Sequence, residues 1–160
     1  MPGAVKSRRV LRVADANLNR ASEGLRAAED VLRFCLDRAA LSREARLARH
    51  AVRAAGQVLA SDVALRRARD ARGDVGRRRS TPGTRRGTPG EMLAANLRRA
   101  QESVRVLEEV AHIAGRPRAA ALFQAVRYRL YTLEQRALAG AGGKTAARPA
   151  SLAAKSPRRG

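Results

Sequence analysis

The sequence contains little cysteine and few aromatic residues. Cys35 is the only cysteine, which excludes a disulfide within the chain and a zinc site built from a cysteine cluster. There is no Trp, and only two Phe and two Tyr occur among 160 residues. A chain of this length favours one domain and can bury a core without disulfides or metal ions, and that core must be made of Leu, Val and Ala.

Long apolar runs are also missing. The N-terminus has no apolar stretch of the kind found in signal peptides. No segment approaches the roughly 18 uncharged apolar residues of a membrane-spanning helix. We therefore expect a cytoplasmic protein that does not contact a membrane.

Acidic residues are scarce relative to basic ones. The sequence has 14 Asp and Glu against 34 Lys and Arg, a formal net charge of +20. Such a charge attracts anions, including nucleotides, phosphorylated metabolites and nucleic acid. Nucleic acid is the weakest of these candidates, because the sequence has neither helix-turn-helix spacing nor an aromatic stacking platform.

Four segments carry apolar residues at alternating spacings of three and four, and no segment shows the alternation of a strand. They lie at residues 18–35, 41–59, 97–111 and 123–137. This period indicates helices packed nearly parallel or antiparallel, and so an all-α protein. We expect Ser42 to cap the second helix, Gly115 to end the third, Pro117 to start the fourth and Cys35 to be buried on the apolar seam.

The apolar period is missing from both ends of the chain and from residues 69–90. We expect a flexible N-terminus at residues 1–13, a helical domain at 14–139 and a disordered basic tail at 140–160. A long Gly- and Pro-rich loop, residues 69–90, connects the second and third helices. A loop of this length within one domain is usually functional or disordered.

The first and third helices carry the same motif. ANLNRASEGLRAAEDV begins at Ala16 and ANLRRAQESVRVLEEV begins at Ala95, with nine of sixteen positions identical at an offset of 79. The repeat predicts two helical hairpins, near 15–67 and 91–139, related by a pseudo-twofold axis. Together they form a four-helix bundle.

The polar residues shared by the two copies allow two interpretations. The matched pairs are Asn17/Asn96, Arg20/Arg99, Glu23/Glu102, Arg26/Arg105 and Glu29/Glu108. The charged ones suit ion pairs at i,i+3 spacing on a solvated helix flank, or they line a site. The two Asn residues suit helix-start caps or ligand contacts, because Asn is a poor helix former.

Two further segments contain residues suited to binding phosphate or a metal ion. In RDARGDVG, residues 69–76, backbone amides near Gly73 and Gly76 can cradle phosphate, and Asp70 or Asp74 can hold Mg²⁺; solvated turn charges are the alternative. In the fourth helix Arg127 and Tyr131 share a face, either as surface residues or as a phosphate contact beside a stacking ring. No Walker-type P-loop and no protein-kinase motif is present.

Four motifs follow one another along the chain: DANLNRASEGLRAAEDVLRF, RDARGDVG followed by STP, AANLRRAQESVRVLEEVA, and VRYRLYTLE. In this order and spacing they resemble the small helical hydroxymethylpyrimidine-phosphate kinase domain that is often fused before thiamine-phosphate synthase in bacteria. The resemblance covers about residues 14–138. It implies phosphorylation of 4-amino-5-hydroxymethyl-2-methylpyrimidine phosphate to the diphosphate, with ATP and Mg²⁺, and a functional link to thiamine-phosphate synthase.

Under this resemblance, residue chemistry assigns roles to the matched positions. Catalytic roles fall to Glu23, Arg26, Glu102 and Arg105, substrate binding to Asn17, Arg20, Asn96, Arg99, Arg127 and Tyr131, the phosphate loop to Arg69, Asp70, Gly73, Asp74 and Gly76, and Mg²⁺ to Glu23, Glu102 and Asp74. We expect these residues to meet in one cleft. The alternative is a non-enzymatic helical module that binds intermediates of thiamine synthesis or docks on the synthase.

Overall fold

The computed structural model describes residues 2–76 and 87–139, with side chains from residue 8 onward. These residues form five α-helices and one π-helical turn, and they include no strand. The elements are α1 (Pro2–Asp30), a π-helical turn (Val31–Cys35), α2 (Ala39–Leu59), α3 (Asp62–Ala68), α4 (Pro89–Ile113) and α5 (Pro117–Ala139). The all-α prediction is confirmed for this part of the chain.

The four long helices contact one another in a closed ring. Helix α1 packs against α2 and α4, and α5 packs against the same two helices. The core between them is aliphatic apart from Phe123, the largest side chain that is fully buried. Helix α3 packs on α1; with only seven residues, capped by Ser61, it is too short to show an apolar period in the sequence.

Helix ends follow local signals in most places. Thr88 and Glu91 form a capping box at the start of α4. Gly115, at φ 64°, follows the end of α4, and Pro117 begins α5, as predicted. The capping role predicted for Ser42 is wrong, because α2 begins at Ala39 and the Ser42 hydroxyl donates to the Glu29 carbonyl at 3.3 Å.

Both hairpins bury equivalent positions. For α1 and α4 the buried positions agree at an offset of 79, as in Ala21 and Ala100 or Leu25 and Val104. For α2 and α5 they agree at an offset of 78: Leu41/Ala119, Ser42/Ala120, Ala45/Phe123, Ala48/Val126, Val52/Leu130, Ala55/Leu133 and Leu59/Ala137. This agreement supports a structural repeat, and the twofold axis itself remains a prediction.

The π-helical turn accounts for the change of offset. The Arg38 N–H donates to the Leu32 carbonyl at the end of the first helix, and the Arg116 N–H donates to the Ala111 carbonyl at the end of the third. The acceptors differ by 79 positions and the donors by 78, so the first hairpin has one extra residue between them. π-Helical turns are the usual way for a helix to accommodate one extra residue.

The same turn explains why Cys35 is not buried. The apolar period extends to Cys35, but the wider turn moves this residue off the seam, and its side chain is exposed. The prediction of a buried cysteine is therefore wrong.

Helix α1 begins well before residue 14, where the sequence pattern placed the domain boundary. Residues 8–13 are helical, and Val10 and Leu11 pack against the core. The predicted tail at 140–160 and residues 77–86 of the Gly-rich loop lie outside the described residues. None of the helices described is both long and apolar enough to cross a bilayer.

Candidate functional site

The segment that follows α3 folds into two consecutive turns. The Asp70 carboxylate accepts a hydrogen bond from the Gly73 N–H at 2.8 Å, and the Asp74 carboxylate accepts one from the Gly76 N–H at 2.9 Å. A Cβ at Gly73 would lie 2.5 Å from an Asp70 carboxylate oxygen, so a side chain there would displace this hydrogen-bonded carboxylate. The motif read as a phosphate cradle thus first shapes its own backbone.

Arg69 ties this segment to α1. Its Nε and Nη2 atoms donate to the two carboxylate oxygens of Asp15, each at 2.8 Å. This bidentate contact raises the pKa of Arg69. Arg12, one turn earlier in α1, donates to the Asp70 carbonyl at 3.1 Å. No local pattern marks Asp15 as a site residue, although it immediately precedes the repeated motif.

A cleft of about 490 Å³ opens between the N-terminal half of α1 and residues 69–74. We call it the arginine cleft. Its lining comprises Arg9, Arg12, Val13, Asp15, Ala16, Asn17, Arg20, Arg69, Asp70, Ala71 and Asp74. Arg9 and Arg20 are exposed and form no ion pair with another described residue, so two of its four cations remain available to an anion.

A second cavity of about 370 Å³ lies beside the first, between α1, α2 and α3. We call it the α1–α2 groove. It is lined by Asp15, Leu18, Asn19, Ser22, Arg53, Gly56, Gln57, Asp62, Leu65, Arg66 and Arg69. Asp15 and Arg69 line both cavities, so their ion pair forms the boundary between the two.

The structure brings part of the predicted site together. Asn17, Arg20, Arg69, Asp70 and Asp74 all line the arginine cleft, and Gly73 and Gly76 belong to the same turns. The rest of the predicted set is absent from its described lining: Glu23, Arg26, Asn96, Arg99, Glu102, Arg105, Arg127 and Tyr131. The prediction of one cleft containing both motif copies therefore does not match the described lining, and the individual roles remain predictions.

The two matched Asn residues make the same contact in both hairpins. The Asn17 amide donates to the Val13 carbonyl at 2.9 Å, and the Asn96 amide donates to the Met92 carbonyl at 2.8 Å. Both side chains are buried within helices. They are therefore not helix-start caps; Asn17 also borders the arginine cleft.

The matched acids at positions 29 and 108 are buried, not on the outer flank as the helix pattern indicated. The Glu29 carboxylate accepts from Arg49 at 3.0 Å, and the Glu108 carboxylate accepts from the Arg127 Nε at 2.9 Å. Each pair joins the two helices of one hairpin. Arg49 and Arg127 occupy equivalent positions at the offset of 78, so a repeat aligned at 79 does not match them.

This contact bears on the phosphate role predicted for Arg127. Its guanidinium also donates to the Tyr131 hydroxyl at 3.3 Å, and hydrogen bonds to Tyr131 and Glu108 raise the pKa of Arg127. Only 11% of its side chain is exposed. Arg127 therefore holds the second hairpin together in the described structure.

The matched Arg residues that follow in the motif also pair locally. Arg26 contacts Asp30 at 3.5 Å, and Arg105 contacts Glu108 at 3.3 Å and Glu109 at 2.5 Å. The exposed pairs, Arg26–Asp30 and Arg105–Glu109, correspond to the solvated-flank interpretation, although their spacing is i,i+4 and not i,i+3. Such contacts add little to stability, about 0.2–0.5 kcal/mol each.

No preformed metal cage is present among the described residues, because no three His, Cys, Asp or Glu side chains lie close enough to share an ion. Mg²⁺ does not require such a cage, since it is usually held by one or two carboxylates together with phosphates and water. Asp74 fits this pattern, because it lines the arginine cleft. Glu23 and Glu102 are exposed and lie outside its described lining.

Fold and site together define a small helical domain with a cationic cleft on its first hairpin. Comparison with known families is more specific: the ThiD2 family model matches residues 12–136, and the chain belongs to the ThiD2 family. The resemblance drawn from the four motifs is thereby confirmed.

Individual relatives share the name thiamine-phosphate synthase. The protein of that name from Synechocystis sp. is 39% identical over 126 residues, covering 78% of this chain and 35% of the relative. Its namesake from Prochlorococcus marinus (strain MIT 9313) is 40% identical over 142 residues, covering 85% and 37%. That from Rhodopirellula baltica is 35% identical over 135 residues, covering 79% and 33%.

The chain thus spans about a third of the length of the curated relatives it matches. These relatives place the chain in the context of thiamine biosynthesis. No solved structure shows a significant match to it.

Proposed function

We propose that this protein is a kinase that converts 4-amino-5-hydroxymethyl-2-methylpyrimidine phosphate to its diphosphate, with ATP as phosphoryl donor. The observation that carries the proposal is the arginine cleft beside the α1–α2 groove, with Arg69 at their boundary. Membership of the ThiD2 family and the relatives named for thiamine-phosphate synthase support the pathway.

The reaction places few demands on acid–base groups. A phosphate oxygen of the pyrimidine monophosphate attacks the γ-phosphorus of ATP, the bond from that phosphorus to the β,γ-bridging oxygen breaks, and ADP leaves. The second pKa of a phosphate monoester is about 6, so the attacking oxygen is already ionised at neutral pH. The site must mainly hold two strongly anionic groups in line, which is a task for fixed cations.

The arginine cleft supplies such cations. Arg9, Arg12 and Arg20 are positioned along one side of α1 to meet a polyphosphate, and Arg69 is fixed by Asp15 at the entrance to the groove. When bound with ATP, Mg²⁺ would neutralise part of the phosphate charge, and we assign Asp74, a carboxylate of the cleft lining, to hold it. In this proposal the second-copy residues have no contact with ATP.

An assay with purified protein tests the proposal. ATP, Mg²⁺ and the pyrimidine monophosphate are incubated with the protein, and the pyrimidine diphosphate and ADP are measured together. We expect the two products in equal amounts, and none when Mg²⁺ is removed by a chelator. ADP without pyrimidine diphosphate would indicate an ATPase and contradict the proposal.

The relatives favour one alternative, because the chain matches only a third of proteins named thiamine-phosphate synthase. In this second candidate function the domain binds pathway intermediates or docks on a separate synthase without catalysing phosphoryl transfer. Binding of the pyrimidine monophosphate without turnover would support it. A cytoplasmic location belongs to either candidate and remains a prediction.

A further inference from the structure

The α1–α2 groove differs from the equivalent region of the second hairpin. At the offsets of the repeat, Ser22 corresponds to Gln101 and Gly56 corresponds to Glu134. In the second hairpin the Gln101 amide donates to the Glu134 carboxylate at 2.8 Å and approaches the Leu130 carbonyl at 3.5 Å. This pair lies between α4 and α5, whereas in the first hairpin Leu18 packs against Gly56, and the shorter Ser22 and Gly56 both line the α1–α2 groove.

The lining of the open groove is amphipathic. Leu18 and Leu65 provide apolar surface, and Asn19 and Gln57 present amide groups that both donate and accept hydrogen bonds. A planar heterocycle with ring nitrogens and an amino group needs this combination of apolar contact and amide partners. The Arg69 guanidinium lies at the end of the groove that borders the arginine cleft.

The two cavities differ in volume, and this difference suits the two substrates of the proposed reaction. At about 370 Å³ the groove is the smaller, and it lies near the lower limit of ligand pockets, about 300–1,000 Å³. A single pyrimidine ring with one phosphate is much smaller than ATP. The larger cavity, about 490 Å³, also has the greater number of arginines, which suits a triphosphate.

We infer that the α1–α2 groove binds the aminopyrimidine ring of the acceptor substrate, with Asn19 and Gln57 as specificity-determining residues and its phosphate directed toward Arg69. The triphosphate then occupies the arginine cleft, and the reacting phosphates meet at the Asp15–Arg69 boundary. This inference rests on the proposed kinase function for its choice of ligand.

Variants of Gln57 and Asn19 test the inference, because both residues are exposed and can be shortened without opening the core. Gln135 is the matched control, since it is the equivalent of Gln57 in the second hairpin and is also exposed. Dissociation constants for the pyrimidine monophosphate are measured by calorimetry, and KM values for both substrates by ADP release. Ser22→Gln, which copies the side chain of Gln101, tests steric closure of the groove.

We expect Gln57→Ala and Asn19→Ala to weaken binding of the pyrimidine monophosphate about tenfold, the effect of losing one or two ligand hydrogen bonds. The KM for ATP should change by less than about twofold in the same variants. Gln135→Ala should leave both constants unchanged, and Ser22→Gln should weaken pyrimidine binding at least as much as Gln57→Ala. Circular dichroism thermal midpoints establish that each variant is folded.

The outcomes separate this inference from the proposed function. If the protein phosphorylates the pyrimidine but Gln57→Ala and Asn19→Ala bind it normally, the kinase stands and the groove assignment is wrong. If these variants raise the KM for ATP alone, the groove holds the nucleotide and the assignment is also wrong. If the protein binds the pyrimidine without turnover and Gln57→Ala loses that binding, the groove assignment holds and the kinase fails. Absence of both binding and turnover overturns both.

Discussion

The two hairpins have the same internal supports but different surfaces. Each contains a buried Glu–Arg pair between its helices and a buried Asn that donates to the carbonyl four residues earlier. The first hairpin carries Asp15, which pairs with Arg69 just before the two turns at residues 70–76, and Ala94 stands in the second hairpin at the position of Asp15. The buried contacts that the hairpins share serve mainly the fold, whereas the two cavities depend also on residues that the second hairpin lacks, such as Asp15 and Ser22.

The start of each hairpin shows the same contrast. Helix α4 begins at the capping box of Thr88 and Glu91. Helix α1 continues through the equivalent positions, Arg9 and Arg12, and both of these residues line the arginine cleft. An identical motif therefore does not imply an identical site.

The buried ion pairs provide the largest expected effect. Glu29→Ala or Glu108→Ala leaves the guanidinium of Arg49 or Arg127 buried without its partner, and we expect each to lower the free energy of unfolding by about 3 kcal/mol. Urea unfolding measures this loss. Arg26→Ala, which removes an exposed pair, is the control and should cost about 0.3 kcal/mol. If only one of the two variants lost this much stability, the two ion pairs would not contribute equally to their hairpins.

Substitution of Arg69 has the next largest expected effect, because Arg69 lines both cavities of the proposed site. Arg69→Ala removes the cation at the boundary of the two cavities and the tie to Asp15, and we expect kcat/KM to fall about a hundredfold. Arg67→Ala, an exposed arginine at the end of α3, should stay within about threefold of the parent protein. Equal kcat/KM in the two variants, measured by ADP release, would remove Arg69 from the site.

The matched pair Arg20 and Arg99 tests directly whether one hairpin or both carry the site. We expect Arg20→Ala to reduce kcat/KM about tenfold, since it removes one phosphate-binding cation from the cleft. Arg99→Ala should change it by less than about twofold, because Arg99 lies outside the described lining and contacts Asn96. A tenfold loss in Arg99→Ala would instead return the second motif copy to the site.

The capping box provides the smallest effect. Thr88→Ala should lower the free energy of unfolding by about 1 kcal/mol.

Hydrogen bonds from the Gly87 and Thr88 N–H groups lower the pKa of Glu91 in the folded state. Ionised Glu91 therefore stabilises the fold above its unfolded pKa of about 4.3, and this contribution is lost as the pH falls through the lower folded pKa. The stability difference between Glu91→Gln and the parent, measured by urea unfolding across this range, should vanish in acid; a constant difference would contradict it.

Much of the fold could be predicted from the sequence because the four long helices carry their own period. The apolar spacing locates each helix, and Gly115 and Pro117 mark a boundary by backbone geometry alone. Helix α3 and the π-helical turn were missed, since a seven-residue helix and a one-residue insertion leave no periodic trace. The burial of Glu29 was detectable, because it lies four residues after Leu25 and three before Leu32, both on the seam.

The site was less predictable. Asn17, Arg20 and Asp74 were recognised by residue type, and α3 packing on α1 brings them together. The pairing of Asp15 with Arg69 joins residues 54 positions apart, which no local pattern reveals. The α1–α2 groove is lined by Ser22 and Gly56, which differ from their counterparts Gln101 and Glu134, so a pattern of identical residues does not reveal it.

The π-helical turn at Val31–Cys35 makes the first hairpin tolerant of a change in length. A deletion inside α1 or α2 would rotate every following side chain by about 100° about the helix axis and turn buried positions outward. Removing one residue within the π-helical turn would instead convert it to the spacing already used by the second hairpin. For protein engineering, this turn is the place in the first hairpin where we expect a one-residue deletion to leave the buried positions of α1 and α2 in register.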